Sequence, residues 1–337
     1  MIAIASPHNS SNVSNFVQRG AEIARGGLEV GLRTTGQQVS GLLERLGSPD
    51  VRGNDARPTI PPTAPTPPSE RRYDAGDLYG PSGRPSAADI QQDRIGDCFF
   101  IATAGAVANE SPQRIQDAIS YNETTGNFSV RLYDGREWVD IEVSQAEIQD
   151  NISRGGGSRL DNNEPCAPIW PAVMETAYAK LRGGTLDQGY AEIHKGGKAR
   201  DAMETITGTR GSDLSNQWVS LLGDKAAEIA ISKALANGHP VTLSTDPERS
   251  CDWLSRLFGC QPAPQDGMAD NHVYVVEDIY TNDNGDVMVR LRNPWQQNEA
   301  GSVGESTPAN SSSPFIEVKL SDIVQDRGFE YFNIGPK

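Results

Sequence analysis

The chain has 337 residues, of which 22% are charged and 36% hydrophobic, and its formal net charge is −15 at pH 7. That length provides for one large domain or two smaller ones with self-sufficient cores, and an acidic balance without clustered lysine and arginine excludes a nucleic-acid backbone as partner. No stretch approaches the roughly 20 apolar residues that span a bilayer, and the four cysteines, Cys98, Cys166, Cys251 and Cys260, are too few for a disulfide framework and lack zinc-ligand spacing.

The first residues, MIAIASPHNSSNVSNFVQ, have no basic segment and no long apolar run, so they are not a Sec signal peptide. They read either as a solvated tail or as the leader of a protein exported by a dedicated secretion machine. The expected location is therefore secreted without a Sec signal, or cytoplasmic. Residues 14–48 carry a weak helical pattern, including Phe16, Val17, Leu28, Val30, Leu42, Leu43 and Leu46, which Gly20, Gly26, Gly27, Gly31, Gly36 and Gly41 interrupt. Each interior glycine costs about 1 kcal/mol of helix stability relative to alanine, so this segment needs a packing surface to become helical. RPTIPPTAPTPPSERR (57–72) then imposes an extended, semi-rigid spacer. It reads as a linker, the alternative being a proline-rich ligand for a partner domain.

Beyond about residue 80 the chain reads as globular. The apolar run that opens at Cys98 predicts a buried helix over 98–109. SPQRIQDAIS (111–120) has a capping serine and Pro112 at the first helical position, which predicts a second. NFSVRLYDGREWVDIEVS (127–144) alternates apolar and polar residues around Asp134-Gly135, a hairpin signal. PIWPAVMETAYAKL (168–181) predicts an amphipathic helix with Val173, Met174, Ala177, Tyr178 and Leu181 on one face. Another helix is predicted over 225–237, ended by Gly238. From 240 onward strands dominate: PVTLST, HVYVVEDIY, DVMVRLRNP, FIEVKL and FEYFNI. A helix-rich part followed by a β-rich part predicts an α+β fold with two lobes. The expected division is 1–80 for tail and linker, 81–215 for the helical lobe and 216–337 for the β-rich lobe.

One seam carries chemistry. In QQDRIGDCFFIATAGAVANE (91–110), Cys98 stands where a polar turn becomes a buried helix. As a lone residue it is a small core hydrophobe. A helix N-terminus, however, lowers a thiol pKa of about 8.5, and a neighbouring imidazole lowers it further by pairing with the thiolate. Of the four histidines, His8 lies in the polar tail, His194 in YAEIHKGGKA is expected at the surface, and His239 follows Gly238 as a helix cap. His272 opens a strand. A turn at Asn284-Gly285, or over 282–285, places Asn293 opposite Val276 or Tyr274. Both share a face with His272, so the Asn293 amide is expected to orient that imidazole. Trp295 falls on the same face and shields the bond from water. A single bulge would break this parity. Oxyanion donors are expected from the Cys98 N–H and the Gln92 side-chain amide. Cys251 and Cys260 read as two free thiols, a bridge between them being the alternative.

Three motifs together resemble the calpains, a family of papain-like cysteine peptidases. QDRIGDCFFIATAGA resembles the family's nucleophile motif, IWPAVMETAYAKLRGG its closing helix in the first half of the core, and NHVYVVEDIY…VRLRNPW its paired His and Asn-Pro-Trp strands. The order Cys, His, Asn is also the family's, and the resemblance covers roughly residues 80–337. It implies a two-lobed papain-like core that binds protein or peptide substrate across a cleft. It further implies Cys98 as nucleophile, His272 as general base and acid, Asn293 as orienting residue, Gln92 and the Cys98 N–H as oxyanion hole, and Trp295 as shield. Phe99 stands where the family usually has Trp. NPWQQ, followed by Asn298 and Glu299, stands where Gly commonly follows the Trp, which points to a different cleft rim. NDNGD lacks the spaced acids of an EF-hand, so the additional calcium-binding domain of animal calpains is not expected; calcium at the core itself stays open. The implied activity is an endopeptidase, as a secreted effector or a self-processing enzyme cutting within 50–80. The alternatives are transglutaminase or deamidase chemistry on the same triad, or a non-catalytic binding module.

Overall fold

An apolar run from Phe99 to Ala108 can be satisfied only by burial on every side. In the computed structural model it forms α1 (Cys98–Glu110), buried over that whole stretch. The structure describes residues 71–163, 166–245, 268–269, 271–298, 313–325 and 329–337. The N-terminal tail, the helical pattern over 14–48, the spacer as far as residue 70, and Cys251 and Cys260 lie outside the described residues.

Pro112 starts α2 (Pro112–Ala118) at a position where its missing N–H costs nothing. It leads into an antiparallel sheet of β1 (Ile119–Asn122), β2 (Asn127–Tyr133) and β3 (Trp138–Val143) in that order. The expected hairpin forms with Tyr133 opposite Trp138. Asp134 Oδ1 accepts the N–H groups of Arg136 and Glu137 at 2.7 and 2.8 Å, and Gly135 takes the left-handed φ of 96°.

Next come α3 (Gln145–Ser153), opened by a Ser144/Glu147 capping box, and α4 (Arg159–Asn163). They are followed by α5 (Trp170–Gly183), α6 (Leu186–Ile193) and α7 (Ala199–Thr207). The expectation of a one-faced α5 is corrected: every residue from Trp170 to Ala179 is buried. α3, α6 and the sheet cover the sides that its periodicity left polar, and Thr176 and Glu175 are satisfied by hydrogen bonds instead of water. Phe100 stacks flat on Tyr178 with centroids 4.1 Å apart, and Phe99 meets the same ring edge-on.

The second half holds a six-stranded antiparallel sheet. All five strands predicted after 240 are present: β5 (Val241–Thr245), β6 (Val273–Thr281), β7 (Val287–Arg292), β8 (Phe315–Lys319) and β9 (Phe329–Ile334). A short polar strand, β4 (Ser212–Ser215), joins them in the order β4-β9-β5-β6-β7-β8. Helices α8 (Asn216–Leu222) and α9 (Asp224–Ala236) precede β5, with Gly238 at φ 74° after the second, and α10 (Leu320–Gln325) follows β8. The architecture is α+β.

Two apolar cores result, and β6 belongs to both. Val273 and Val275 pack into the core built on α1 and α5, while Tyr274 and Val276 pack into the core of the large sheet. Alternation along one strand thus makes it the wall between the halves. Among the described residues no helix is long and apolar enough to cross a membrane.

Because Phe100 is fully buried against Tyr178, Phe100→Ala should lower the unfolding free energy by about 3–5 kcal/mol. Urea unfolding followed by circular dichroism would measure it, and a loss under about 1 kcal/mol would show that the stacked pair is not a core contact.

Candidate active site

A strand buried on both faces must keep its register, since a one-residue slip exchanges its faces. The β6–β7 hairpin does so by two departures that cancel. Its turn spans five residues, 282–286, so Thr281 faces Val287 and Ile279 faces Val289. Near Glu277 the register shifts by one, and Val276 then faces Leu291 and Val275 faces Arg292. Extending that register puts Asn293 opposite Tyr274, one of the two placements expected. The bulge that was expected to break the parity restores it.

His272 and Asn293 meet as a buried pair, with Nε2 and Oδ1 3.0 Å apart and the two residues 2% and 0% exposed. The neighbours fix which atom is which. Trp295 N–H donates to Asn293 Oδ1 at 2.9 Å, and Asn293 Nδ2 donates to Asn298 Oδ1 at 3.0 Å. Oδ1 is therefore the acceptor facing the ring, Nε2 carries the proton, and Nδ1 is left as the basic nitrogen. Trp295 lies over this bond, its ring 4.2 Å from the imidazole. Thr245 anchors the histidine backbone: its hydroxyl accepts His272 N–H at 2.9 Å and donates to Ala269 O at 2.7 Å. Sequence reasoning did not single out Thr245, whose signal was only its place at the end of a predicted strand. It treated Asn298 as a rim residue, whereas Asn298 is buried and holds the orienting amide.

Cys98 is the first residue of α1 and is half-buried. Its sulfur lies 3.9 Å from Asn271 O and also receives the Val273 backbone N–H, so it sits against the backbone on either side of His272. Among the described residues, the two non-glycine residues with positive φ are Asn271, at 48°, and Gln296, at 57°. They lie directly before His272 and directly after Trp295. The helix N-terminus is only one of the influences on this thiol. The N–H groups of Val273, Phe99 and Cys98 favour the thiolate, but burial, followed by the Asp97 carboxyl, pushes the thiol up to about 12. Ionisation therefore requires a group that takes the proton.

The loop before Cys98 is held from four sides. Gln92 N–H donates to Pro294 O at 2.9 Å, Arg94 N–H to Gly155 O at 2.8 Å, Gln91 N–H to Ser158 Oγ at 3.0 Å, and Gly96 N–H to His194 Nδ1 at 3.0 Å. His194, expected at the surface, is a half-buried acceptor for the nucleophile loop. Gln92 is buried, and its Nε2 donates to Ile95 O at 2.8 Å and, over a longer 3.2 Å, to Asp97 Oδ1.

Asp97 precedes a helix yet does not cap it. Its carboxyl turns inward toward that of Glu175, and burial followed by Glu175 pushes Asp97 well above its ordinary value. Glu175 accepts Gly157 N–H at 2.8 Å and an Asn151 amide hydrogen. Gly156 is glycine for a steric reason, since a Cβ there would overlap the Glu175 carboxylate and the Asn151 amide. Asp161 is also buried, and burial, despite the Ser158 N–H that it accepts, raises it to about 8.

A cavity of about 230 Å³ opens beside Phe99 and Gly197, with Glu192 and Asp201 set among Arg182 and Lys198. Among the described residues no three His, Cys, Asp or Glu side chains converge as a metal site.

Residues 79–308 match the family described as calpain family cysteine protease. The chain is 29% identical to calpain-13 of Rattus norvegicus over 226 residues, 64% of this chain and 30% of that protein. It is 30% identical to calpain-A of Drosophila melanogaster over 246 residues, 68% and 26% respectively. With a calpain-type cysteine protease of Arabidopsis thaliana the identity is 25% over 249 residues, 69% of this chain and 10% of that one. The chain thus spans a third or less of these relatives' lengths.

The buried acids set a pH dependence. With its pKa raised to about 8, Asp161 keeps in the folded state a proton that the unfolded chain releases near pH 4. Its contribution is complete below that unfolded value and is lost as pH rises toward 8. Between about pH 5 and 7.5, the stability of Asp161→Asn relative to wild type should rise by about 1.4 kcal/mol per pH unit. Urea unfolding at several pH values measures this, and parallel stability curves would refute it.

Proposed function

This chain belongs to the calpain family of cysteine proteases, and on that footing we propose that it is an endopeptidase whose nucleophile is Cys98, with His272 as general base and acid and Asn293 as its orienting partner. The carrying observation is the buried His272–Asn293 pair. The buried Asn293 amide holds the proton on Nε2 of His272, and the Cys98 sulfur lies against the backbone flanking that histidine.

In this reading His272 Nδ1 takes the Cys98 proton. The imidazolium then stabilises a thiolate that burial alone disfavours. The thiolate attacks the carbonyl carbon of the scissile peptide, and its oxygen becomes an oxyanion. The Cys98 N–H and the Gln92 side-chain amide are the proposed donors. The longer bond from Gln92 to Asp97 is the one a developing oxyanion would draw away. His272 protonates the departing amine, and the acyl group remains on sulfur as a thioester. Water, deprotonated by His272, then releases the acid and regenerates the thiol. Trp295 keeps water from the His272–Asn293 bond through the cycle. A self-cleavage in 50–80 is part of the proposal, with the preceding residues as the segment removed.

Cleavage of an unstructured protein such as casein should fall at least 10³-fold in Cys98→Ala. In Asn293→Ala, kcat should fall by about 10²-fold through misorientation of the imidazole. Intact mass of wild type and Cys98→Ala after incubation tests self-processing, for which fragments cut within 50–80 should come from the wild type alone. Incorporation of a primary amine into glutamine without peptide cleavage would replace the peptidase reading by acyl transfer.

A further inference from the structure

The turn after Asn293 contains a residue that local energetics disfavour. Gln296 adopts φ 57° and closes the turn with its N–H on Asn293 O at 2.9 Å. A side chain in the left-handed region persists where surrounding contacts over-determine it. Here the contacts come from the other half of the molecule. Gln296 Nε2 donates to Ile90 O at 2.6 Å and to Ala87 O at 3.2 Å. Both carbonyls belong to the segment that leads into Gln92.

These bonds are one side of a closed circuit. Ala87 N–H donates to Asn109 Oδ1 at 2.8 Å, and Asn109 Nδ2 donates to Glu277 Oε1 at 3.2 Å. Glu277 pairs with Arg292 Nε, and Arg292 Nη1 donates to Gln296 Oε1 at 3.3 Å. The circuit crosses twice between the halves, at Gln296 and at Asn109–Glu277. Glu277 is the residue at the β6 bulge, so the irregularity that sets the hairpin parity also supplies the crossing carboxylate.

We propose that Gln296, clamped through Arg292, Glu277 and Asn109, is a positioning residue that holds the segment 87–92, and with it the Gln92 amide, against the turn bearing Asn293. It touches no reacting atom. Its action runs through Gln92, whose N–H is bonded to Pro294 O two residues before Gln296. Both amide hydrogens of Gln296 are spent on the two carbonyls, and its oxygen is spent on Arg292. A carboxylate, a hydrocarbon or a hydrogen at this position cannot reproduce all three bonds.

The role in catalysis rests on the peptidase reading, so the test has one readout that needs no activity. Two variants of the full chain remove the bonds in opposite ways. Gln296→Gly also relieves the backbone, and Gln296→Met keeps the bulk and the strained φ. Hydrogen exchange of peptides covering 87–92 should accelerate at least tenfold in both. Thermal stability should hold or rise in Gln296→Gly. Peptide cleavage should fall about tenfold in kcat with KM little changed, because peptide contacts are left in place. If one variant fails to fold, the other decides. Exchange and kcat at wild-type levels in either folded variant overturn the clamp and leave the peptidase reading intact. Accelerated exchange in a wild-type background that cleaves nothing supports the clamp and removes the peptidase reading.

Discussion

A strand with no solvent face has no freedom to slide, and β6 is such a strand. Val273 and Val275 fill one core, Tyr274 and Val276 the other. Every register choice in the second half follows from that double burial. The five-residue turn and the bulge at Glu277 are individually irregular, but together they leave the apolar residues of β6 in their cores and bring Asn293 to the face of His272. The left-handed residues Asn271 and Gln296 sit at the two ends of this arrangement, the first against Cys98 and the second against the segment that leads into Gln92.

Around that frame, the site is held by buried polar groups bonded to one another. A buried amide or imidazole without partners would cost several times a net hydrogen bond. Here each bond also makes a choice: Trp295 N–H selects the oxygen of Asn293, that oxygen selects the tautomer of His272, and Thr245 fixes the histidine backbone. The same economy explains why Asp97 does not cap α1. Its carboxyl is committed to Gln92 and Glu175 beneath the nucleophile loop. Burial of this acid-rich loop raises the cysteine thiol as well, so the helix N-terminus by itself is insufficient to make a nucleophile. A thiol so placed needs a proton acceptor, the part proposed above for His272.

Much of this was legible along the chain. The long apolar run of α1, the Asp-Gly hairpin and the five strands after 240 have strong local signals, because periodicity and turn chemistry act over a few residues. Cys98, His272, Asn293 and Gln92 stood out by residue type at element boundaries. Not singled out were α3, α6 and α7, whose faces find their partners only when the fold closes, α3 and α6 on α5 and α7 on α1. β4, with the sequence SDLS, is a strand solely because β9 offers it a partner.

The sequence by itself determined the elements with strong local signals, their order, and the chemical groups from which a site could be assembled. Tertiary structure alone decided the partners. His194 under Gly96, Glu175 against Asp97 and Gln296 on the carbonyls of Ala87 and Ile90 join residues far apart in the chain. A polar side chain carries no local signal of who will satisfy it. Desolvation creates the demand, and that demand arises only when two elements close over the group.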